Sequence, residues 1–323
     1  MRADVLAAFT ALERRARLGF AFAFAALTLL APLRAGAFCR TTTTTPPPDH
    51  GSVDGSWESS ACWTEGLPLY HPSQCVPYQL LAKESPIIPN AILSDRLGRA
   101  FATWTAPNAT CTPGISGIEL APAADDTIAG YAVGQSNRNL VGVLPTWPYA
   151  GGSDTLALTT VTFRPNTGEM LDVDLEVNGA VSWAFDAPAS DQYDLEAVLT
   201  HEVGHMLGLA HSPVVDATMH PTYTPGAIEM RTLTPDDEEG ICTVYPNRAQ
   251  RLAGSGLVPS TVCNLGPGGG TDGCGSPDIT HGCAAAPLTS RPSNFHIALI
   301  ALVLLTPAAV VRRRRSRRGP NVA

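Results

Sequence analysis

Three histidines and a glutamate fall within the eleven residues His201-Glu202-Val203-Gly204-His205-Met206-Leu207-Gly208-Leu209-Ala210-His211, and their spacing dictates local structure before any fold is considered. Histidines four residues apart on a helix emerge from one face, just over a turn apart, so His201 and His205 can share a cation. Glu202 then projects beside that cation, where it can hold a water as a general base without binding the metal. Gly208 follows, where a glycine can adopt a left-handed conformation and stop the helix. The chain can turn back and deliver His211 as a third ligand. Three neutral imidazoles and one open position form the donor set of a catalytic zinc. A pair of surface or capping histidines would account for His201 and His205 alone, but not for Gly208 and His211 at these offsets.

The surrounding sequence predicts mixed secondary structure. Asp194–Gly208 reads as the helix carrying the motif, with Asp191 or Asp194 as its cap. Ala91–Thr105 reads as an amphipathic helix, with Ile92, Leu93, Leu97, Ala100, Phe101 and Trp104 at helical spacing. A third helix starts at Thr234 or Pro235, its acidic run Asp236–Glu239 lying where the helix dipole favours it. Strands are expected at Val76–Leu81, Ile115–Leu120, Leu156–Arg164 and Met170–Asn178, the last two joined by a turn at Asn166-Thr167-Gly168. In the last strand Asp172, Asp174 and Glu176 alternate with apolar residues, which reads as a half-buried strand with a solvated acidic face. Three carboxylates on one strand do not make the loop cage of a calcium site.

Both ends carry membrane-related signals. Arg2, Arg14, Arg15 and Arg17 precede an apolar run from Leu18 to Leu33 and then Ala35-Gly36-Ala37, the order of a secretory signal peptide cleaved after Ala37. An apolar run from Phe295 to Val311, followed by six arginines, reads as a stop-transfer segment with a cytoplasmic tail. Without residues 1–37 and 312–323 the chain keeps 10 basic residues, Lys83 its one lysine, against 27 acidic ones. That balance disfavours nucleic acid as a partner, since phosphate binding needs clustered Lys and Arg. Eight cysteines in an exported chain imply disulfides, and no pair has the CxxC spacing of a zinc knuckle.

At the motif the sequence resembles the metzincin zinc peptidases, and among them the matrixins. Ser212 directly after the third histidine, then Ala217, Met219, Pro221 and Tyr223, are similar to the matrixin Met-turn. The resemblance reaches outward through Cys75-Val76-Pro77-Tyr78, Ala100-Phe101 with Trp104, Gly168 with Asp172–Leu175, and Leu233–Asp237 with Gly240, Ile241 and Tyr245. It implies an α+β fold: a twisted, mixed, five-stranded sheet with about three helices, the active-site helix ending at Gly208. It also implies one catalytic zinc on His201, His205 and His211, with Glu202 as catalytic base. Met219 would form an apolar floor beneath the ligands, and Pro221 and Tyr223 the wall of a substrate pocket. His220 would be a substrate-side or solvent residue.

Between Asn178 and Asp191 there is no histidine, so a structural calcium or second zinc is not supported, and nothing matches the cysteine motif that holds animal matrixins latent. The expected organisation is a signal peptide at 1–37, a Thr/Pro-rich spacer and N-terminal segment at 38–74, and a catalytic domain at 75–248. A Gly/Pro-rich stalk at 249–294, a transmembrane segment at 295–311 and an Arg-rich tail at 312–323 complete it. The tail is similar in architecture to the sorting tails of myxobacterial surface proteins. The implied function is an exported, surface-anchored metalloendopeptidase acting on proteins or peptides. Two alternatives are a surface adhesion or binding module on the same fold and a zinc hydrolase acting on something other than peptides.

Overall fold

The computed structural model describes residues 37–45, 62–106, 111–125, 127–128, 130–133, 137–149 and 155–263. Its centre is a five-stranded sheet. In chain order the elements are β1 (Cys39–Arg40), β2 (Cys75–Leu80), α1 (Asn90–Thr105), β3 (Ser116–Glu119), β4 (Asn139–Leu144), β5 (Ala157–Phe163) and β6 (Met170–Asn178). They are followed by β7 (Trp183–Ala184), β8 (Tyr193–Asp194), α2 (Leu195–Met206), β9 (Leu209–Ala210), α3 (Pro235–Val244), β10 (Gln250–Ala253) and β11 (Gly256–Pro259). The sheet order is β3-β2-β4-β6-β5. Every pairing in it is parallel except β5 with β6, a hairpin in which Thr159 faces Leu175 and Val161 faces Val173.

Helix α1 lays one stripe inward: Leu93, Arg96, Leu97, Ala100, Phe101 and Trp104 are buried, at the three- and four-residue steps that put side chains on one face. Phe101 stacks on Tyr78 of β2, with ring centroids 5.2 Å apart. Trp104 reaches α2 and donates its indole N–H to the Thr200 carbonyl at 2.6 Å. Every residue of helix α2 except Glu196 is buried, which accounts for Leu195, Ala197, Val198 and Leu199 ahead of the motif. Asp194 caps it by accepting the Ala197 N–H, and its buried carboxylate is also paired with Arg231. Helix α3 starts with Pro235 and a capping box between Thr234 and Asp237.

Four features differ from the sequence reading. The interior strand β4 is not among the expected strands: Asn139–Leu144 is a short, mostly apolar run with a glycine inside, and periodicity alone does not separate it from a loop. Gly142 fits there because a Cβ would meet Leu81 Cδ1 at 2.6 Å. The acidic face of β6 is not solvated: Asp172 and Asp174 are 3% exposed and Glu176 8%. Leu140 N–H donates to Asp174 and the Tyr149 hydroxyl to Glu176. Burial, first, and the charge of Glu176 hold Asp174 above the usual carboxylate range.

The packed unit also reaches beyond 75–248 at both ends. On the N-terminal side β1 pairs antiparallel with β9, and Cys39 is bonded to Cys62. On the C-terminal side β10 and β11 form a hairpin within the segment read as stalk, and Cys75 is bonded to Cys263. The third disulfide, Cys111–Cys242, ties the segment before β3 to α3. Arg251 of β10 is fully buried, donating to the carbonyls of Ser73, Gly114, Asn247 and Gln250 and lying over the Tyr245 ring. The proposed leader (through Gly36), the apolar run 295–311, the arginine tail, Cys274 and Cys283 lie outside the described residues. Among the described residues no helix is long and apolar enough to cross a membrane.

Candidate metal centre

The centre is built from the end of α2 and the chain that leaves it. His201 and His205 sit one turn apart on α2 and are fully buried. The helix stops because Gly208 takes φ +91°, a left-handed conformation open to glycine, and there is no room for a side chain: a Cβ would lie 2.9 Å from the Leu69 carbonyl oxygen. Two residues of strand follow, and His211 swings back over the helix face. The three imidazoles close on one another, with ring centroids 4.7, 5.2 and 5.0 Å apart. One nitrogen from each lies within 4.8 Å of the others.

The outer nitrogens say what the inner ones can do. His201 Nδ1 is 2.6 Å from the Thr218 carbonyl oxygen and His205 Nδ1 is 2.9 Å from that of Leu209. A carbonyl only accepts, so both Nδ1 atoms carry the proton and both Nε2 atoms present lone pairs. Those two Nε2 atoms face each other at 3.0 Å. Two buried lone pairs at that distance repel unless a cation lies between them. Burial also pushes the histidines toward the neutral, ligating form: His205 down to about 4, and His201 and His211 well below the usual imidazole value, first by burial and then by their mutual charges. This donor set fits zinc: three imidazoles, two of them with outer N–H groups held by backbone carbonyls.

Glu202 is fully buried, and Thr159 of the edge strand β5 donates its hydroxyl to Glu202 Oε2 at 2.6 Å. The other oxygen, Oε1, is buried with no hydrogen-bond partner among the described residues. Burial pushes Glu202 up to about 8, the Thr159 hydrogen bond pulling the other way. A dication at the three histidines favours the ionised carboxylate and so a base.

The turn after His211 seats the centre from below. Met219 is buried, with its sulfur against α2 at Gly204: a Cβ there would fall 2.2 Å from Met219 Sδ and 2.8 Å from Trp104 Cζ2. The glycine inside the motif is thus a packing requirement. Gly204→Ala should lower stability by about 1–3 kcal/mol, because overpacking outweighs the better helix propensity of alanine. Urea unfolding of the zinc-free protein reads this, and an unchanged or higher midpoint would contradict the packing.

Asp237 holds the same turn, accepting the backbone N–H groups of Thr218 and Met219 at 2.8 and 3.1 Å. The sequence shows Asp237 only as a helix-capping acid; its second role depends on tertiary contact. Ser212, also buried, donates its N–H to Met219 and its hydroxyl to Asp236. Pro221 and Tyr223 are buried, and the Tyr223 ring lies 5.9 Å from that of Tyr193. His220 is half-buried, bonded to the Thr222 hydroxyl, and does not join the three-histidine group.

His71 has no ligand spacing in sequence, yet it is buried against the end of α2. Its Nε2 donates to the Met206 carbonyl at 2.7 Å, and its backbone N–H donates to the Tyr245 hydroxyl, which donates in turn to the Leu207 carbonyl. These bonds occupy carbonyls that a helix leaves unpaired at its C-terminus. Burial lowers His71 to about 4. The folded state therefore binds its proton later than the unfolded chain, whose histidine titrates near 6.5. The stabilisation is complete above about pH 6.5 and is lost as pH falls toward 4, by about 3 kcal/mol in total. Urea unfolding across that window should show His71→Gln losing about that much less than wild type. Parallel curves for the two proteins would exclude the effect.

Residues 145–246 match the family model described as Matrixin, a peptidase family. The chain is 34% identical over 172 residues to metalloendoproteinase 2-MMP of Arabidopsis thaliana, covering 51% of this chain and 39% of the relative. It is 36% identical over 116 residues to metalloendoproteinase 4-MMP of the same plant, covering 35% and 32%. To interstitial collagenase A of Mus musculus it is 28% identical over 180 residues, covering 56% and 34%. The chain thus spans between about a third and two-fifths of the length of these relatives. The match with the family model starts at Pro145, just after β4, and ends after α3. The five-stranded mixed sheet with three helices is consistent with the α+β fold of the metzincins.

Proposed function

We propose that this protein is a zinc-dependent endopeptidase that hydrolyses peptide bonds of extracellular proteins. The observation that carries this reading is the pair of facing Nε2 acceptors, 3.0 Å apart, with both outer nitrogens committed to backbone carbonyls. The matrixin match over the same residues supports it. His201, His205 and His211 would hold zinc, whose chemistry there would be Lewis acidity toward a carbonyl and activation of water at neutral pH. Glu202 takes the proton of the attacking water and passes it to the departing amine. Met219 and Asp237 hold the ligand cage from beneath. Pro221 and Tyr223 wall the site where an extended substrate would place a side chain.

Export and surface anchoring belong to the same proposal. Their support is the leader pattern ending at Ala37, the apolar run 295–311 with its arginines, and three disulfides, which persist in oxidising compartments. A mature chain should begin at Phe38 and fractionate with membranes; a mature form retaining residues 1–37 would contradict cleavage.

Incubation of the purified protein with denatured casein and a peptide library, with and without chelator, tests the activity. Internal cleavage that stops on chelation and returns with zinc is expected. A protein that binds zinc and cuts no peptide would favour the binding-module alternative.

A further inference from the structure

The edge strand of the sheet supplies one side chain to the reacting centre that the motif does not contain. Thr159 is fully buried on β5, and its hydroxyl lies 2.6 Å from Glu202 Oε2. The geometry points to Thr159 as a positioning residue that fixes the Glu202 carboxylate so that Oε1, and not Oε2, exchanges protons with the substrate; this rests on the peptidase reading above. A threonine hydroxyl has one hydrogen to donate, and a carboxylate only accepts. With Oε2 engaged by Thr159, the buried Oε1 is the oxygen left for water. When the water O–H bond breaks, the proton forms a bond with Oε1 and the oxygen's electron pair goes to the carbonyl carbon. The same proton then moves to the amide nitrogen as the C–N bond breaks, and the carboxylate returns to its starting state. Without the hydroxyl the carboxylate rotates among orientations, and the proton can rest on the wrong oxygen.

Thr159→Val keeps the shape and removes the donor. The loss of one hydrogen bond to a charged group should lower kcat about 10- to 100-fold with KM within about twofold of wild type. Thr159→Ser should recover most of the rate. Zinc affinity, read by chelator competition, should stay within about twofold, because the Thr159 hydroxyl bonds to Glu202 and not to a histidine. A peptide hydroxamate, whose hydroxyl needs an oriented carboxylate, should bind Thr159→Val more weakly by a factor similar to the loss in kcat. If Val unfolds the protein, Thr159→Ala takes its place in each measurement with the same expectation. A kcat within twofold of wild type in the donor-free variant would overturn the proposal. So would a kcat loss matched by an equal loss of zinc affinity, which would make the residue structural. Glu202→Gln separates the two readings: wild-type turnover there defeats the peptidase mechanism itself, whereas an essential Glu202 with a fully active Thr159→Val defeats only the positioning role.

Discussion

Glu202→Gln should reduce peptide turnover by about 10²- to 10⁴-fold while zinc stays bound, the range expected when a positioned general base is removed. Glutamine keeps the size of the side chain and can still meet the Thr159 hydroxyl at 2.6 Å, but it cannot take a proton from water. The fold should not suffer. Glu202 is fully buried, burial opposes its charged form, and a neutral amide of the same shape relieves that opposition. Zinc-free Glu202→Gln should therefore unfold no earlier in urea than wild type at neutral pH. Turnover on a fluorogenic peptide, read beside bound zinc and the urea midpoint, separates lost chemistry from lost structure. Wild-type turnover in a zinc-loaded variant would remove Glu202 from the mechanism.

The second large effect concerns stability. Asp237→Ala should lower the free energy of unfolding by about 3–5 kcal/mol. Its carboxylate is 1% exposed and accepts four donors: the N–H groups of Thr218 and Met219, and the N–H and hydroxyl of Thr234. Alanine would strand two turn N–H groups in the interior and uncap α3. The consequence reaches the metal through one carbonyl. Thr218 accepts the His201 Nδ1 proton and so sets the ring's orientation. Losses of about 10- to 100-fold in zinc affinity follow when such outer partners are disturbed. Asp237→Asn, which keeps one acceptor oxygen, should fall between. Urea unfolding of zinc-free protein and chelator competition read the two effects separately; a stability change under about 1 kcal/mol would mean the turn is held elsewhere.

How much of this is legible in sequence follows from the range of the interactions. The helix carrying His201 and His205, its Asp194 cap, the stop at Gly208 and the β5–β6 hairpin are local, and patterns over ten to twenty residues reveal them. Strand β4 escapes because a buried parallel strand has no alternation to read. The carboxylates of β6 are misplaced by pattern because alternation marks two faces but does not say what covers the second one. Residues 39–44 and 249–263 read as spacer and stalk by composition, yet β1, β10, Arg251 and two disulfides bring them into the unit through contacts far apart in the chain. The same limit hides Thr159 and His71. Neither has motif spacing, and each acts on α2 from another segment, Thr159 on Glu202 and His71 on the Met206 carbonyl.

The proposed hydrolysis depends on one zinc held by His201, His205 and His211. The most direct measurement is a titration of the metal-free protein with zinc, following bound metal and peptide cleavage together. Cleavage should rise in proportion to bound zinc, reach its plateau at about one equivalent, and remain absent in His211→Ala across the same range. A folded protein that cleaves without zinc, or that reaches full activity in His211→Ala, would contradict it.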